Sequence, residues 1–204
     1  MIVKVCGMRD ADNIRAVEQS GANWMGFIFY ERSPRYVAEP PAYLPKHCKR
    51  IGVFVNAPIF TIQTHISRYQ LDMIQLHGNE SPEFCQEIRQ LGLPVIKCLP
   101  ISSTDDFTHW KEYQDSVNYL LFDTACINYG GSGKQFDWSA LAQYKGKIPF
   151  LLSGGIRLSH LSKIRQFSHP QWIGVDLNSG FETAPGIKDA SILHSFIHKL
   201  ENHL

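Results

Sequence analysis

Short apolar runs recur along the chain at intervals of about 20 to 30 residues, which is the length of one βα unit. They begin near Ile2, Trp24, Ile51, Met73, Pro94, Tyr119, Pro149 and Trp172. The run over residues 51–55 is apolar at every position, as expected of a parallel strand that is covered on both faces. The pattern therefore predicts eight parallel strands.

Apolar residues between these runs repeat with the period of a helix. The clearest stripes are Ile59, Ile62, Ile66 and Tyr69; Phe84, Ile88 and Leu91; and Leu193, Phe196, Ile197 and Leu200. Asp10, Ser81 (which precedes Pro82) and Ser159 are predicted to cap helices. The order strand, loop, helix is thus expected eight times over, and eight parallel βα units close most naturally into a barrel.

An open, doubly wound sheet is the alternative architecture. It would usually carry a glycine-rich loop with the G-x-G-x-x-G pattern after the first strand. Residues 6–10 read Cys-Gly-Met-Arg-Asp instead. Neither a composition shift nor a polar linker divides the chain, so we expect one α/β domain over residues 1–204, a compact (β/α)8 TIM barrel.

The composition indicates a small-molecule partner. The 20 basic and 19 acidic residues are scattered, and no basic run would follow a nucleic acid or an anionic membrane. The N-terminus lacks a signal-peptide pattern, and no apolar run approaches the roughly 20 residues that span a bilayer. Five irregularly spaced cysteines suit a reducing compartment, so we expect a cytoplasmic protein, either a monomer or a homodimer.

Cys6 and Asp123 each stand where an apolar strand ends, on the barrel face that carries active sites in this fold. A free cysteine is usually a core residue, but a thiolate could accept a proton if nearby cations lowered its pKa. Burial would raise the pKa of Asp123 and favour an acid that works near neutral pH. A structural cap on the next loop is the alternative for Asp123.

Glycine-containing loops follow the last two predicted strands. Gly154 and Gly155 follow the seventh, and Asn178, Ser179 and Gly180 follow the eighth. Barrels commonly hold a phosphate with these loops through backbone N–H groups. The sequence therefore predicts a phosphate site, although the glycines could simply turn the chain.

Four further polar residues are predicted to bind substrate, namely Arg35, Asn56, Gln75 and His77. The planar guanidinium of Arg35 suits a carboxylate, although the residue could equally be an ordinary surface arginine. His77 could orient the substrate or form hydrogen bonds within the rim. The other cysteines, for which we identify no polar partner, are predicted to be structural; they are Cys48, Cys85, Cys98 and Cys126.

The segment Gly130, Gly131, Ser132, Gly133 and Lys134 resembles a P-loop, but Asn128 and Gln135 break that pattern. We interpret the segment as a lid loop at the pocket, with a mobile surface loop as the alternative. His194 and His198 are four residues apart without a third ligand, and no other cluster has metal-ligand spacing, so we expect no metal.

Taken together, these segments resemble one enzyme family along most of the chain, from residue 2 to about residue 189. The segments are Lys4–Met8, Ser33–Arg35, Phe54–Asn56, Gln75–Gly78, Phe122–Thr124, Gly130–Trp138, Ser153–Gly155 and Gly186–Asp189. They are similar to phosphoribosylanthranilate isomerase, a (β/α)8 barrel of tryptophan biosynthesis.

The resemblance implies a cofactor-free Amadori rearrangement of N-(5'-phosphoribosyl)anthranilate to 1-(2-carboxyphenylamino)-1-deoxyribulose 5-phosphate. It makes Cys6 the general base that removes the C2' proton, Asp123 the general acid that protonates the ring oxygen, and Arg35 the group that holds the anthranilate carboxylate. Two departures concern phosphate affinity: Ser153 stands where alanine is expected, and Leu177-Asn178 replaces Val-Ser.

Three other functions fit these residues less well. The analogous isomerase of histidine biosynthesis uses an aspartate as its first-strand base, whereas this chain has Cys6. A sugar-phosphate sensor would be expected to lack one member of the Cys6–Asp123 pair. An indole-glycerol phosphate synthase would need a catalytic lysine and an extra segment before the first strand, which starts at Ile2.

Overall fold

A computed structural model of the protein describes residues 1–101, 104–124 and 138–201. Eight parallel strands form a closed barrel in chain order, with the last strand paired to the first. They are β1 Ile2–Cys6, β2 Trp24–Ile28, β3 Lys49–Phe54, β4 Met73–Leu76, β5 Val95–Ile101, β6 Tyr119–Thr124, β7 Phe150–Leu152 and β8 Trp172–Leu177. The predicted (β/α)8 barrel is confirmed, and all eight predicted strand starts fall within two residues of the observed ones.

Helices surround the barrel. The α-helices are α1 Ala11–Gln19, α2 Ile59–Tyr69, α3 Pro82–Arg89, α4 Leu161–Gln166 and α5 Ala190–Glu201. Short 3-10 helices cover Thr104–Tyr113, Trp138–Gln143, Leu158–His160 and Ser179–Phe181. After β8, an antiparallel pair, β9 Glu182–Ala184 and β10 Ile187–Lys188, precedes α5. None of the described helices is long and apolar enough to cross a membrane.

The expectation of a helix in every unit is wrong for the second unit. Residues 29–48 connect β2 to β3 without a helix. Four prolines, at positions 34, 40, 41 and 45, fall in this segment, and proline removes a helical hydrogen-bond donor and clashes with the preceding turn. The resulting irregular loop carries Arg35 to the mouth of the barrel.

Two of the three predicted helix caps are confirmed. The side chain of Asp10 accepts a hydrogen bond from the backbone N–H of Asn13 at 2.8 Å, and Ser81 precedes a proline at the first position of α3. Ser159 is not a cap, because it lies inside a 3-10 turn and α4 begins only at Leu161, after His160.

Apolar side chains fill both faces of the closed sheet. The larger cluster packs the outer face against the helices and includes the predicted α5 stripe, all of which is buried. The smaller cluster fills the barrel interior with Trp24, Ile51, Met73, Ile96, Cys98, Leu121 and Leu151. Because side chains alternate along a strand, Asp123 shares the interior face with Leu121, which places its carboxyl above this apolar plug.

Candidate active site

A pocket opens at the C-terminal ends of the strands and holds about 860 Å³ of empty space, its solvent-open mouth included. It brings together nine of the predicted site residues, namely Cys6, Arg35, His77, Asp123, Gly154, Gly155, Asn178, Ser179 and Gly180. Asn56 and Gln75 are not among the residues that line it. The predicted lid residues 130–134, and also Cys126, lie outside the described residues.

Cys6 lies beside a buried ion pair that β1 and β8 form. Lys4 and Asp176 are opposite each other in the register of these strands, and Lys4 Nζ is 2.9 Å from Asp176 Oδ1. The charge of the Lys4 ammonium also acts on the neighbouring thiol of Cys6. Burial disfavours the charge of Lys4, but the attraction of Asp176 and Cys6 outweighs it and raises the pKa of Lys4. The ammonium is therefore a permanent charge next to the thiol.

A base role for Cys6 would be favoured by a lowered pKa, but in this site the pKa of Cys6 is raised. Burial raises the pKa of the Cys6 thiol, and Asp176 adds to that effect. Lys4 and Lys188 act in the other direction and offset only part of it. Cys6 is consequently a thiol in the substrate-free site at neutral pH, with cations in place to stabilise its thiolate.

Asp123 is a carboxyl poised to exchange a proton near neutral pH. Burial raises its pKa to about 6, and the nearby Asp176 carboxylate contributes to the shift. The backbone N–H of Thr124 donates to Asp123 Oδ1 at 2.9 Å and limits the rise. Such a carboxyl can act as a general acid near neutral pH.

His77 borders Asp123, with 3.6 Å between His77 Nε2 and Asp123 Oδ2. Burial, together with the charges of Lys4 and Lys97, lowers the pKa of His77 to about 3, so the ring is neutral. Gln75 is fully buried and places its amide nitrogen 2.8 Å from His77 Nδ1. Gln75 thus contacts the His77 ring and does not itself line the pocket, and its role as a substrate ligand stays a prediction.

Cys98 has a polar partner that the sequence did not reveal. Its sulfur lies 3.7 Å from His77 Nε2, on the interior face of β5. The structural role predicted for Cys98 stays a prediction. The thiol remains buried, and burial raises its pKa well above the ordinary value.

The guanidinium of Arg35 lines the pocket but is already engaged by a carboxylate of the protein. Glu182 accepts from Arg35 Nε at 2.8 Å and from Nη2 at 2.5 Å. Lys188 forms a second ion pair with the same carboxylate and donates to Asn178 Oδ1 at 2.8 Å. Nε and Nη2 of Arg35 are thus engaged by Glu182, and Nη1 takes no part in these bonds.

Asn56 belongs to the scaffold under the site. Its backbone adopts the left-handed region, with φ of 49°, and its Oδ1 accepts from the backbone N–H of Asn79. Its own N–H donates to Glu80, which pairs with the buried Lys97 at 2.9 Å. These bonds direct the Asn56 side chain into the loop after β4, which is why it does not line the pocket.

The glycines after β7 and β8 bring the backbone to the pocket wall. Gly154 has φ of 92°, and a Cβ there would lie 2.2 Å from the hydroxyl oxygen of Thr124. A Cβ at Gly180 would lie 2.0 Å from the carbonyl oxygen of Ile156. Any larger residue would displace these loops, so the close approach of backbone to pocket depends on glycine.

Four charged residues of the site were not among the predicted ones: Lys4, Asp176, Glu182 and Lys188. Lys4 carried a usable signal, since a lone lysine inside an apolar barrel strand requires a buried counter-charge. Barrel closure pairs β1 with β8, and Asp176 is the acidic residue of β8. Glu182 and Lys188 gave no comparable signal, because they sit in a short β-hairpin that follows the barrel.

The fold and the pocket define a class. This is a (β/α)8-barrel protein with an acid–base type of active site, in which a thiol and a carboxyl of raised pKa share one pocket with several cations.

Comparison with known proteins narrows the class to one family. Residues 3–199 match the family model described as N-(5'phosphoribosyl)anthranilate (PRA) isomerase. The chain is 53% identical to the N-(5'-phosphoribosyl)anthranilate isomerase of Phocaeicola vulgatus over 204 residues, which is all of both chains. It is 52% identical to that of Parabacteroides distasonis, over 98% of this chain and 93% of the relative.

Solved structures agree. The phosphoribosyl anthranilate isomerase of Thermotoga maritima superposes with a TM-score of 0.86 at 33% identity, over 99% of this chain and 100% of that one. A phosphoribosyl anthranilate isomerase in complex with reduced 1-(o-carboxyphenylamino)-1-deoxyribulose 5-phosphate gives a TM-score of 0.83 at 31% identity, over 99% of this chain and 100% of that one. The chain belongs to the phosphoribosylanthranilate isomerase family, the aldose–ketose isomerases of tryptophan biosynthesis.

Proposed function

We propose that the pocket rearranges N-(5'-phosphoribosyl)anthranilate to 1-(2-carboxyphenylamino)-1-deoxyribulose 5-phosphate with Cys6 as general base and Asp123 as general acid. The observation that carries this assignment is that the two groups line the same pocket from β1 and β6, two strands that are not neighbours because β7 and β8 separate them in the closed barrel. A substrate between them would meet the acid on one side and the base on the other. The family match supplies the substrate.

The reaction begins with the acid. Asp123 donates a proton to the furanose ring oxygen, the C1'–O bond breaks, and the nitrogen lone pair forms a C1'=N iminium. The pKa of about 6 keeps a usable fraction of Asp123 protonated near neutral pH while leaving it able to give that proton up. Neutral His77, beside the carboxylate, is suited to hydrogen-bond the ionised form without adding charge.

The base then acts at C2'. The Cys6 thiolate takes the C2' proton, and the electrons of the broken C–H bond form C1'=C2' as the iminium becomes an enamine. Tautomerisation of this enaminol gives the ketose. Lys4 stabilises the thiolate by its charge, and the positive iminium nearby favours the same ionised form. The raised pKa of Cys6 in the substrate-free site fits a base that ionises only when substrate is bound.

The two anionic ends of the substrate match two separate parts of the pocket. Gly154, Gly155, Ser179 and Gly180 form its wall at the ends of β7 and β8, where barrels bind phosphate through backbone N–H groups. Arg35 lies after β2 and offers its free guanidinium edge to the anthranilate carboxylate. Anchoring both ends would hold the ribose ring between Cys6 and Asp123.

The test is turnover of N-(5'-phosphoribosyl)anthranilate made in situ, followed by loss of its fluorescence. The intact protein is expected to turn over, and Cys6→Ala and Asp123→Ala are each expected to lose about 10²- to 10⁴-fold in kcat/KM. Inactivity of the intact protein would overturn the substrate assignment. Activity that survives in Cys6→Ala would move the base to another group, with Asp176 the next carboxylate in the pocket.

A further inference from the structure

Three potential metal ligands converge beneath the pocket from three different strands. His77 follows β4, Cys98 lies in β5 and Asp123 ends β6. One ligand atom from each lies within 4.8 Å of the other two. The positions are far apart in the chain, so no local motif signals them, and the sequence analysis expected no metal for that reason.

We propose that His77, Cys98 and Asp123 form a binding site for a thiophilic divalent cation of the zinc type, and that occupancy of this site inhibits the enzyme. The inhibition half of this proposal rests on the acid role of Asp123 in the proposed function. The binding half stands on the cluster itself.

The distances fit a tetrahedral ion. Zinc with bonds of about 2.0 Å to nitrogen and 2.3 Å to sulfur holds those two ligands about 3.5 Å apart. His77 Nε2 is 3.7 Å from Cys98 Sγ and 3.6 Å from Asp123 Oδ2. Small side-chain shifts would therefore place one ion in bonding distance of all three. His77 and Asp123 line the pocket, so the fourth position faces it and can take a water molecule.

The ligand chemistry also suits such an ion. Nitrogen, sulfur and carboxylate oxygen are the ligands that zinc takes in proteins. On binding, the Cys98 S–H bond breaks, its proton leaves to water and a metal–sulfur bond forms without any change of oxidation state. One thiolate and one carboxylate then balance the charge of the ion. The nearby ammonium groups of Lys4 and Lys97 each lie 2.9 Å from a carboxylate, which reduces their repulsion of the cation.

Gln75 provides the outer contact that a metal-bound histidine needs. A ligand at His77 Nε2 shifts the ring proton to Nδ1, which then needs an acceptor. Gln75 Oε1 is buried and has no hydrogen-bond partner in the described part of the chain. The amide nitrogen of Gln75 now lies 2.8 Å from His77 Nδ1. Rotating the amide group by 180° would exchange its nitrogen and oxygen and bring Gln75 Oε1 to His77 Nδ1. The exchange keeps one hydrogen bond, so either ring tautomer is supported.

The binding test uses Co²⁺ as a spectroscopic probe on the full chain, with Cys98→Ser and Cys85→Ser as a matched pair. Cys85 is also buried, but lies on α3 outside the cluster. We expect one equivalent of Co²⁺ to give a thiolate-to-metal absorption band in the intact protein and in Cys85→Ser, and no band in Cys98→Ser. Absence of the band from the intact protein, or its persistence in Cys98→Ser, would overturn the site. Cys98→Ala serves the same purpose if the serine variant does not fold.

Inhibition is measured separately with Zn²⁺ and reversed with EDTA. Loss of an outer-shell partner already costs about 10- to 100-fold in metal affinity, so Cys98→Ser should raise the inhibitory Zn²⁺ concentration at least tenfold. Equal inhibition of Cys98→Ser and Cys85→Ser would overturn the proposed inhibitory role. If the intact protein binds Co²⁺ through Cys98 but has no isomerase activity, the metal site stands and the proposed function fails.

Discussion

Two of the buried lysine–carboxylate pairs in the described part of the chain have the same nitrogen–oxygen distance. Lys4 and Asp176 join β1 to β8, and Lys97 on β5 meets Glu80 in the loop after β4. The nitrogen–oxygen distance is 2.9 Å in both, and all four side chains are almost completely buried. The two pairs differ in the other groups that each lysine and each carboxylate contacts.

Backbone groups form the additional hydrogen bonds of the Lys97–Glu80 pair. Lys97 donates to the carbonyl of Gly78 at 2.6 Å, and Glu80 accepts from the N–H groups of Asn56 and Gly78. Lys4 instead interacts electrostatically with the thiol of Cys6, and Asp176 lines the pocket. A buried ion pair can thus be structural or functional according to its third partner: one pair links β5 to the loop after β4, and the other holds a cation beside Cys6, the thiol that we propose as the base.

The largest expected effect comes from the carboxyl of Asp123. Asp123→Asn keeps the shape of the residue but removes the acid, so we expect kcat to fall about 10³-fold, or about 4 kcal/mol. The fluorescence assay measures this, with Asp12→Asn, an exposed position on α1, as the control. A small loss in Asp123→Asn would contradict the acid role.

Breaking the structural pair should cost stability. Lys97→Met leaves Glu80 buried without its counter-charge, and removal of one partner of such a pair typically costs about 3–5 kcal/mol. Urea unfolding measures the free energy of unfolding. Lys49→Met, which removes an exposed lysine paired at 3.6 Å, is the control and should change it by less than about 1 kcal/mol. If both variants were equally stable, Lys97 would not have the structural role assigned to it.

Breaking the functional pair should cost activity. Lys4→Met removes the cation that stabilises the Cys6 thiolate, so we expect kcat to fall about 10²-fold, which corresponds to about 2.7 kcal/mol. Per folded molecule, this loss should exceed that of Lys97→Met. If Lys4→Met were less stable than the parent but had the same kcat, the Lys4–Asp176 pair would be structural like the Lys97–Glu80 pair. That result would contradict the functional role assigned to Lys4.

The smallest predicted effect concerns Glu182. Burial acts to raise its pKa, but Arg35 and Lys188 outweigh burial and lower it below its ordinary value of 4.5. The stabilisation is therefore fully present above pH 4.5 and lost as the pH falls through the folded-state pKa. Glu182→Gln should destabilise the protein at pH 7 and progressively less in acid, and the misplaced Arg35 should raise KM about tenfold, or about 1.4 kcal/mol.

The stability difference between Glu182→Gln and the parent is measured by urea unfolding at several pH values from 7 downwards. A stability difference that stayed constant or grew as the pH fell would contradict the lowered pKa of Glu182. An unchanged KM would show that Glu182 does not position Arg35 for substrate.

The fold was predictable because its signal is repeated. Eight apolar runs at a regular interval leave few architectures open, and the strand starts agree with the structure within two residues. The second unit was not predictable from periodicity alone, since a loop with four prolines replaces its helix. Several prolines in a segment therefore argue against a helix there, even where a regular repeat predicts one.

The site was predictable where residues stand at strand ends and unpredictable where pairing crosses the barrel. Cys6 and Asp123 follow directly from their positions in β1 and β6. The partner of Lys4 depends on strand register, and the contact between His77 and Cys98 depends on side-chain direction inside the barrel. Asn56 does not line the pocket, since its side chain accepts a hydrogen bond from Asn79 in the loop after β4, a contact that the sequence does not indicate.

The most direct test of the central claim is the pKa of Cys6 itself. It can be measured from the pH dependence of Cys6 alkylation, with the modified peptide quantified by mass spectrometry, in the parent, Lys4→Met and Lys97→Met. The account predicts that the pKa of Cys6 rises in Lys4→Met, because a stabilising cation is lost, and stays near the parent value in Lys97→Met. An unchanged pKa in Lys4→Met, or an equal rise in both variants, would contradict it.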